Sequence, residues 1–322
     1  MFSRIAGTGH YAPEKIVTNS DLEKVVDTTD EWIKSRSGIE RRHIAEDDQY
    51  TSDLAVEACR AAMSAAEVGP EDIDFIVVGT TTPDLVFPNV GTILQEKLGI
   101  HGCAAFSLEA ACSGFIYALS IADKFVSTGQ AKCALVVGAE TLSRITDWTD
   151  RSTCVLFGDG AGAVVLKPSE EMGIISTHLR ADGRYKDLLT AKTGVSVQPD
   201  GDALRAGFNV VMAGNEIFKV AVKSLEAIVE ETLEANSMDR SEIDWLIPHQ
   251  ANLRIIQATA KRLGMSMDKV VLTVQDYGNT SAASVPMALD VAVRDGRVQR
   301  GQMLLLEAFG GGLTWGSALL RF

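Results

Sequence analysis

The chain has no apolar run approaching the ~18–20 residues a membrane-spanning helix needs, and its first residues, Met1 to Glu14, contain no apolar stretch of signal-peptide type. A cytoplasmic protein with no membrane partner is expected. Basic residues are in deficit: 30 Lys and Arg stand against 43 Asp and Glu, a net charge of −13. That balance argues against nucleic acid as a bulk partner, because phosphate contact depends on clustered Lys and Arg. Any anionic ligand must find a local basic patch. Low-complexity tracts, long Pro or Ser linkers and short solenoid periods are also missing. Cys59, Cys103, Cys112, Cys133 and Cys154 form an odd set without a C-x-x-C pair, which fits reduced thiols better than a disulfide framework or a zinc site. No histidine has metal-ligand spacing, so no metal site is expected.

What is present is a globular composition, 46% hydrophobic and 23% charged over 322 residues, long enough for one large domain or two ordinary ones. A long-period echo divides it. The segment E-D-I-D-F-I-V-V, which ends at Val78, recurs as S-E-I-D-W-L-I-P, which ends at Pro248, an offset of 170; A-L-V-V-G-A-E from Ala134 recurs as M-L-L-L-E-A-F from Met303, an offset of 169. The chain is therefore read as a duplication, residues 1–170 and 171–322. Leu54, Ala58, Ala61, Ala62 and Ala65 give a helical stripe in the first half, and Ile217, Ala221, Leu225, Ile228 and Leu233 its counterpart. Phe75–Val78, Leu135–Val137 and Met303–Leu306 read as buried strands. Strands alternating with helices imply an α/β protein with helices on both faces of its sheets, a five-layered pair of βαβ halves.

Cys112, in S-L-E-A-A-C-S-G-F-I-Y-A-L-S-I-A, sits where a β-compatible stretch gives way to Phe115, Leu119 and Ala122 at helical spacing. A thiol at a helix amino terminus faces unpaired N–H groups and the positive end of the dipole, which lower its pKa and offer oxyanion donors. An ordinary cysteine in such a place is more often a small packing residue, with odds of roughly four in five, and the other cysteines are read that way. His249, in D-W-L-I-P-H-Q-A-N-L-R, falls on a strand-to-helix turn, where catalytic groups commonly lie. Asn279, in D-Y-G-N-T-S-A-A-S-V-P-M-A-L-D, would by itself be a turn residue. With the 169 offset, however, Cys112 maps onto Ser281, so both halves place a small-residue turn at a helix start. If the halves pack about a pseudo-twofold axis, the two turns meet. Gly310, Gly311 and Gly312 lack a following G-K-[ST], and Gly158, Gly160 and Gly162 precede a strand, not a helix, so neither cluster is a nucleotide-phosphate cradle.

Taken together, Cys112 in A-C-S-G, His249 in P-H-Q-A-N, Asn279 in G-N-T-S-A-A-S and the terminal E-A-F-G-G-G-L-T-W-G-S-A-L resemble the β-ketoacyl-acyl carrier protein synthase III family of the thiolase superfamily. The likeness runs along essentially the whole chain and includes T-D-E-W-I-x-x-R-x-G-I from Thr29 and M-x-G-x-E-x-F-K-V-A-V from Met212. It implies a thiolase-like fold with duplicated βαβαβαββ halves in an αβαβα arrangement. It also implies a homodimer that starts fatty acid synthesis by decarboxylative Claisen condensation of an acyl-CoA with malonyl-acyl carrier protein. In that scheme Cys112 carries the acyl group, Cys112 and Gly311 supply the oxyanion hole, and His249 and Asn279 stabilise the enolate. CoA thioesters are substrates and no cofactor is required.

By the same resemblance Trp32 and Arg151 sandwich the CoA adenine, and Arg36, Phe218 and Asn252 line the pantetheine path. Lys219, Gln250, Ala251, Asn252, Leu253, Arg254, Lys261 and Arg262 dock the carrier protein. Phe87 from a dimer partner, Leu142 and Phe309 shape the acyl pocket. Ser37 departs from an expected Thr but keeps the hydroxyl, and the polar stretch from Gly183 to Gly207 is longer than expected, which leaves the acyl preference open. The alternative reading is a related Cys-His-Asn condensing enzyme of secondary metabolism acting on longer acyl-CoAs or malonyl-CoA, such as a quinolone-forming synthase. A non-catalytic chain-length-factor-like subunit is disfavoured by Cys112, and a thioester hydrolase would not release carbon dioxide.

Overall fold

A computed structural model describes residues 1–191, 194, 196 and 208–322. Strands β1 (Phe2–Tyr11), β4 (Phe75–Gly79), β5 (Ala104–Leu108), β6 (Ala134–Thr141) and β7 (Asp159–Ser169) form one sheet in the order β1-β7-β6-β4-β5. Strands β8 (Ile174–Ala181), β11 (Trp245–Pro248), β12 (Met303–Gly310) and β13 (Thr314–Arg321) form the second, ordered β11-β12-β13-β8. Two short ladders, β2 (Ile16–Thr18) with β3 (Arg41–His43) and β9 (Leu189–Ala191) with β10 (Val210–Met212), lie outside them. Among the described residues, the helices of eight residues or more are α1 (Asp30–Ser37), α2 (Thr51–Ala65), α3 (Val90–Leu98), α4 (Gly114–Ser127), α5 (Gly214–Ala235), α6 (Leu253–Arg262) and α7 (Ser284–Arg294).

Layering follows from apolar strands that are buried on both faces. Phe75 and Val77 of β4 face α4 and α7, whereas Ile76 and Val78 face α2 and α3. In β12, Leu304 and Leu306 share that central α4 and α7 layer, and Met303 and Leu305 turn outward with Leu246 to residues of α5 and α6. The resulting helix-sheet-helix-sheet-helix stack is the expected five-layered α/β fold. The two halves match strand for strand with one difference. Where the first half pairs β5 with β4, the second has a single bridge between Leu246 and Val270.

The offset at the facing turns is 170, not the expected 169. Short 3-10 turns at Ala111–Ser113 and Ser281–Ala283 each open on a residue with positive φ, +45° at Ala111 and +49° at Ser281, and run into α4 and α7. Cys112 therefore corresponds to Ala282, and Ser281 to Ala111. Gly160 and Gly162 also lie within β7 instead of preceding it, and they admit Met287 and Pro286 of α7 against the strand.

The turns pack crosswise. A Cβ on Gly310, at the end of β12, would lie 2.5 Å from the amide nitrogen of Cys112, and one on Gly138 of β6 would lie 2.2 Å from the carbonyl oxygen of Ala282. Each half's turn thus rests on the other half's strand, at a position where any side chain would hold them apart.

Candidate active site

Cys112, His249 and Asn279 line one cavity of about 610 Å³, together with Phe157, Leu189, Met212, Phe309 and the mouth residues Trp32, Arg36, Phe218, Lys219, Ala251, Asn252 and Arg254. Three elements bring the groups there. The Cys112 turn is braced by Thr314, whose hydroxyl donates to the Ala110 carbonyl at 2.8 Å, and by Ser113, whose hydroxyl donates to the Thr314 carbonyl at 2.9 Å. His249 follows β11, its N–H donating to the Glu307 carbonyl at 2.8 Å. Asn279 exchanges main-chain bonds with the segment before β7: its N–H donates to Leu156 at 2.9 Å, and its carbonyl accepts from Gly158 at 3.0 Å. Gly278 permits this with φ +66° and ψ −156°; a Cβ there would sit 2.8 Å from the Leu156 carbonyl oxygen.

Both polar groups beside the thiol have a fixed orientation. Oδ1 of Asn279 accepts the Ser281 amide at 2.9 Å, which leaves the Nδ2 donors for the cavity. Nδ1 of His249 lies 2.5 Å from the Ser284 hydroxyl, and that hydroxyl oxygen accepts the Gln250 amide at 3.3 Å. The Ser284 hydroxyl has no other acceptor among the described residues, so its proton is directed to Nδ1, which makes Nδ1 the acceptor and leaves the ring hydrogen on Nε2. Burial pushes the His249 pKa down to about 3, so the ring is neutral near pH 7. The site thus presents two neutral donors beside a sulfur.

The sulfur itself departs from expectation. A helix amino terminus was expected to lower the thiol pKa, but burial pushes Cys112 up to about 12, against a weaker opposing hydrogen bond from Ser281. The reason is desolvation: Cys112 is 7% exposed in a mostly apolar pocket, and the thiolate loses more hydration than the turn's donors restore.

Around the mouth the sequence-selected residues divide. The Arg151 guanidinium lies 4.9 Å from the centre of the Trp32 ring and donates to the Asp27 carbonyl at 2.8 Å. At that distance the two side chains are in contact, and the gap that the resemblance implies for an adenine is closed between them. Arg36 approaches the same ring at 5.8 Å, and Arg254 lies 5.8 Å from Phe218. Asn252 lines the cavity, but its Oδ1 caps α6 through Arg254 N at 2.8 Å and its Nδ2 donates to the Arg36 carbonyl at 3.0 Å. Gln250 does not belong to a docking surface. It is 1% exposed, and its side chain is spent on Pro248, Val271, Thr273 and Val274, tying β11 to its neighbours. Leu253 is half-buried against Gly38, while Lys261 and Arg262 are exposed and Arg262 pairs with Glu226.

The remaining sequence-selected residues are also accounted for. Leu142 is buried beside Phe157 and Val210, Gly311 lies against Ala111 and Leu189, and Phe87 is 84% exposed. Ser37 keeps its hydroxyl at work, donating to Ile33 and accepting from Ile39. Much of the stretch from Gly183 to Gly207 lies outside the described residues. All five cysteines are free, and no metal-binding cluster is found among the described residues.

Sequence reading missed Ser284, Ser281, Glu140 and Glu307. Glu140 and Glu307 are both wholly buried, and burial pushes their pKa values up to about 7 and about 8. The hydroxyls in N-T-S-A-A-S, and a carboxylate at the end of each of two apolar strands, were the available signals.

Residues 106–183 match the family profile described as 3-oxoacyl-[acyl-carrier-protein (ACP)] synthase III, and residues 233–322 match its C-terminal companion. A protein of Xanthomonas campestris pv. campestris named β-ketoacyl-[acyl-carrier-protein] synthase III is 65% identical over 322 residues, covering 100% of this chain and 99% of that one. A protein of the same name from Thioalkalivibrio sulfidiphilus is 64% identical over 321 residues, with 100% and 99% covered. Among solved structures, the 3-oxoacyl-[acyl-carrier-protein] synthase III of Aquifex aeolicus superposes with a TM-score of 0.92 at 47% identity, covering 99% of this chain and 100% of that one.

Proposed function

This chain belongs to the β-ketoacyl-[acyl-carrier-protein] synthase III family and catalyses the initiating condensation of fatty acid synthesis, and from that premise we propose how its residues divide the work. Cys112 attacks the thioester of a primer acyl-CoA. A new S–C bond forms and CoA departs, with the amides of Cys112 and Gly311 stabilising the oxyanion. Malonyl-acyl carrier protein then delivers its phosphopantetheine arm past Arg36, Phe218 and Arg254. Nε2–H of His249 and Nδ2–H of Asn279 donate to the malonyl thioester carbonyl, so that loss of carbon dioxide leaves an enolate held by two hydrogen bonds. That carbanion attacks the acyl-Cys112 carbonyl and releases 3-ketoacyl-acyl carrier protein.

The observation that carries this reading is the pairing of two oriented neutral donors with a thiol in one cavity, each donor fixed by a bond on its far side. Neutral donors suit an enolate, since a charged imidazolium would demand hydration that the pocket withholds. The reaction as written uses thioesters as substrates and needs no metal or redox cofactor. Exposed Lys261 and the mouth cations Lys219 and Arg254 supply the local positive charge that an acidic carrier requires of a chain with net charge −13. Leu85, Val86 and Phe87, 52%, 69% and 84% exposed, are the apolar surface we assign to a second copy of the chain in a homodimer.

A longer-chain or malonyl-CoA-using condensing enzyme is not favoured, because the 64–65% identical relatives carry the initiating synthase's name over their full length. Intact mass after incubation with acyl-CoAs of graded length tests the reading. One acyl group should appear on Cys112, and 3-ketoacyl product should follow when malonyl-acyl carrier protein is added. Product formation undiminished in Cys112→Ala would overturn it.

A further inference from the structure

The buried thiol needs a proton acceptor, and His249 is not available as one. Its Nδ1 is occupied by Ser284, and its Nε2 already carries a hydrogen. On the turn packed against the Cys112 turn stands Ser281, and beyond it Glu140; neither lines the cavity or takes part in the condensation described above. The Ser281 side chain opposes the burial-driven rise of the thiol pKa, and its Oγ donates to Oε1 of Glu140 at 3.1 Å.

The two carboxylate oxygens of Glu140 are not equivalent. Oε2 accepts from Thr82 Oγ1 at 2.5 Å and Thr80 Oγ1 at 3.3 Å, Oε1 accepts from Ser281 Oγ at 3.1 Å, and Thr81 N and Oγ1 reach both oxygens, at 3.1 Å from Oε2 and 3.2 Å from Oε1. The Thr80 and Thr82 hydroxyl oxygens are themselves acceptors, of the Thr82 amide at 3.1 Å and the Thr141 amide at 2.9 Å, so their hydrogens are free to point at Oε2. Oε1 is the oxygen that Ser281 reaches, so a proton handed on by the Ser281 hydroxyl arrives there.

We propose that the Cys112 thiol loses its proton through the Ser281 hydroxyl to Oε1 of Glu140, a proposal that rests on Cys112 being the acyl-carrying nucleophile. As the S–C bond forms, the S–H proton passes to Ser281 Oγ and the Ser281 hydroxyl proton passes to Glu140. When the tetrahedral intermediate collapses, the C–S bond to CoA breaks and CoA leaves as a thiolate that takes its proton from solvent, while the proton held by Glu140 is released to solvent. Thiol and thioester exchange partners, and no proton or electron is left over. Other ionisable groups near the line are few. Cys112 and Glu109 belong to the nucleophile turn and its approach. Asp159, on β7, has its carboxyl engaged by Ser143 and by the Ala45 amide. The Thr80–Thr82 segment, the start of α2 at Thr51 and the Ser281–Ala283 turn bring only hydroxyls and amides.

Burial pushes the Glu140 pKa up to about 7, which makes the acceptor's titration visible in the working range. The test is alkylation of Cys112 by iodoacetamide from about pH 5 to about pH 10, followed by intact mass with peptide mapping in wild type, Ser281→Ala and Glu140→Gln. Acylation by acyl-CoA is run in parallel. Iodide leaves as the S–C bond forms, and the proton ends in solvent by way of Glu140. The wild-type rate should climb through an inflection near pH 7. Both variants should lose that inflection, react ~100-fold more slowly at neutral pH and approach wild type only where the thiol ionises unaided. Ser281→Ala keeps the main-chain amide that holds Asn279, so it decides the matter if Glu140→Gln fails to fold. Variant profiles that run parallel to wild type, whatever their absolute rates, would overturn the relay. A wild-type enzyme that shows the inflection with iodoacetamide but takes no mass from acyl-CoA would sustain the relay and refute the function proposed above.

Discussion

Removing the Ser284 hydroxyl isolates the claim that His249 acts as a neutral Nε2–H donor. In Ser284→Ala the Gln250 amide and Nδ1 of His249 lose their shared partner inside a wall where Ser284 is 2% exposed and His249 7%. Leaving a buried polar group unpaired costs ~1–3 kcal/mol, and one solution is for the hydrogen to shift from Nε2 to Nδ1. The same cost expressed in the transition state for enolate formation is a ~10–100-fold loss in condensation, at ~1.4 kcal/mol per factor of ten. Acylation of Cys112 does not use this donor, so it should fall much less. Nitrogen NMR of labelled histidine should show an unprotonated Nδ1 in wild type and a mixture in the variant, and the thermal midpoint should drop by a few degrees. A Ser284→Ala enzyme that condenses at the wild-type rate with its Nδ1 still unprotonated would refute the reasoning.

Three further outcomes are expected. Gly310→Ala drives a methyl into the Cys112 amide nitrogen, which would lie 2.5 Å away, and single-turnover acylation followed by mass should slow at least ~10-fold, with ~1–3 kcal/mol of stability lost to overpacking. Glu307 has both carboxyl oxygens buried without a hydrogen-bond partner among the described residues, and burial pushes its pKa up to about 8. The folded state therefore holds a proton that the unfolded state releases near the ordinary glutamate value of 4.5, and stability falls by ~1.4 kcal/mol per pH unit from there to about 8. Glu307→Gln should flatten that slope in denaturant titrations and match or exceed wild type at pH 8; an unchanged slope would remove Glu307 as its source. Arg254→Glu, at the cavity mouth, should raise KM for malonyl-acyl carrier protein by ~10-fold and weaken its salt dependence, and an unaltered KM would take the docking role from this residue.

Strand and helix placement was legible in the sequence because buried strands such as Phe75–Val78 are apolar on both faces and because the duplication repeats its signals. Cys112, His249 and Asn279 were legible because each sits at a punctuation point between strand and helix. The residues that orient them were not. Ser284 and Ser281 look like ordinary small residues at a helix start, and only the fold reveals that one faces an imidazole across 35 positions and the other a carboxylate across 141. The thiol pKa was misjudged for a related reason. Sequence locates a helix terminus, but how deeply the surrounding lobes bury it is a tertiary fact. Gln250 shows the converse, a polar residue in an exposed-looking motif whose amide is used up inside the molecule.

Gly138 and Gly310 carry a consequence for how substrates reach the sulfur. Because each turn bears directly on the opposite sheet, at a spacing that admits no side chain, the two lobes are cross-braced and cannot part like the jaws of a hinge. In the function proposed above, long acyl-pantetheine arms thread in lengthwise past Trp32 and Phe218, and the first guest has to withdraw its CoA tail before the next arm can enter. The order of the two half-reactions is thereby written into the bracing of the vault, and a variant that loosened it would lose sequence in its chemistry before it lost the chemistry itself.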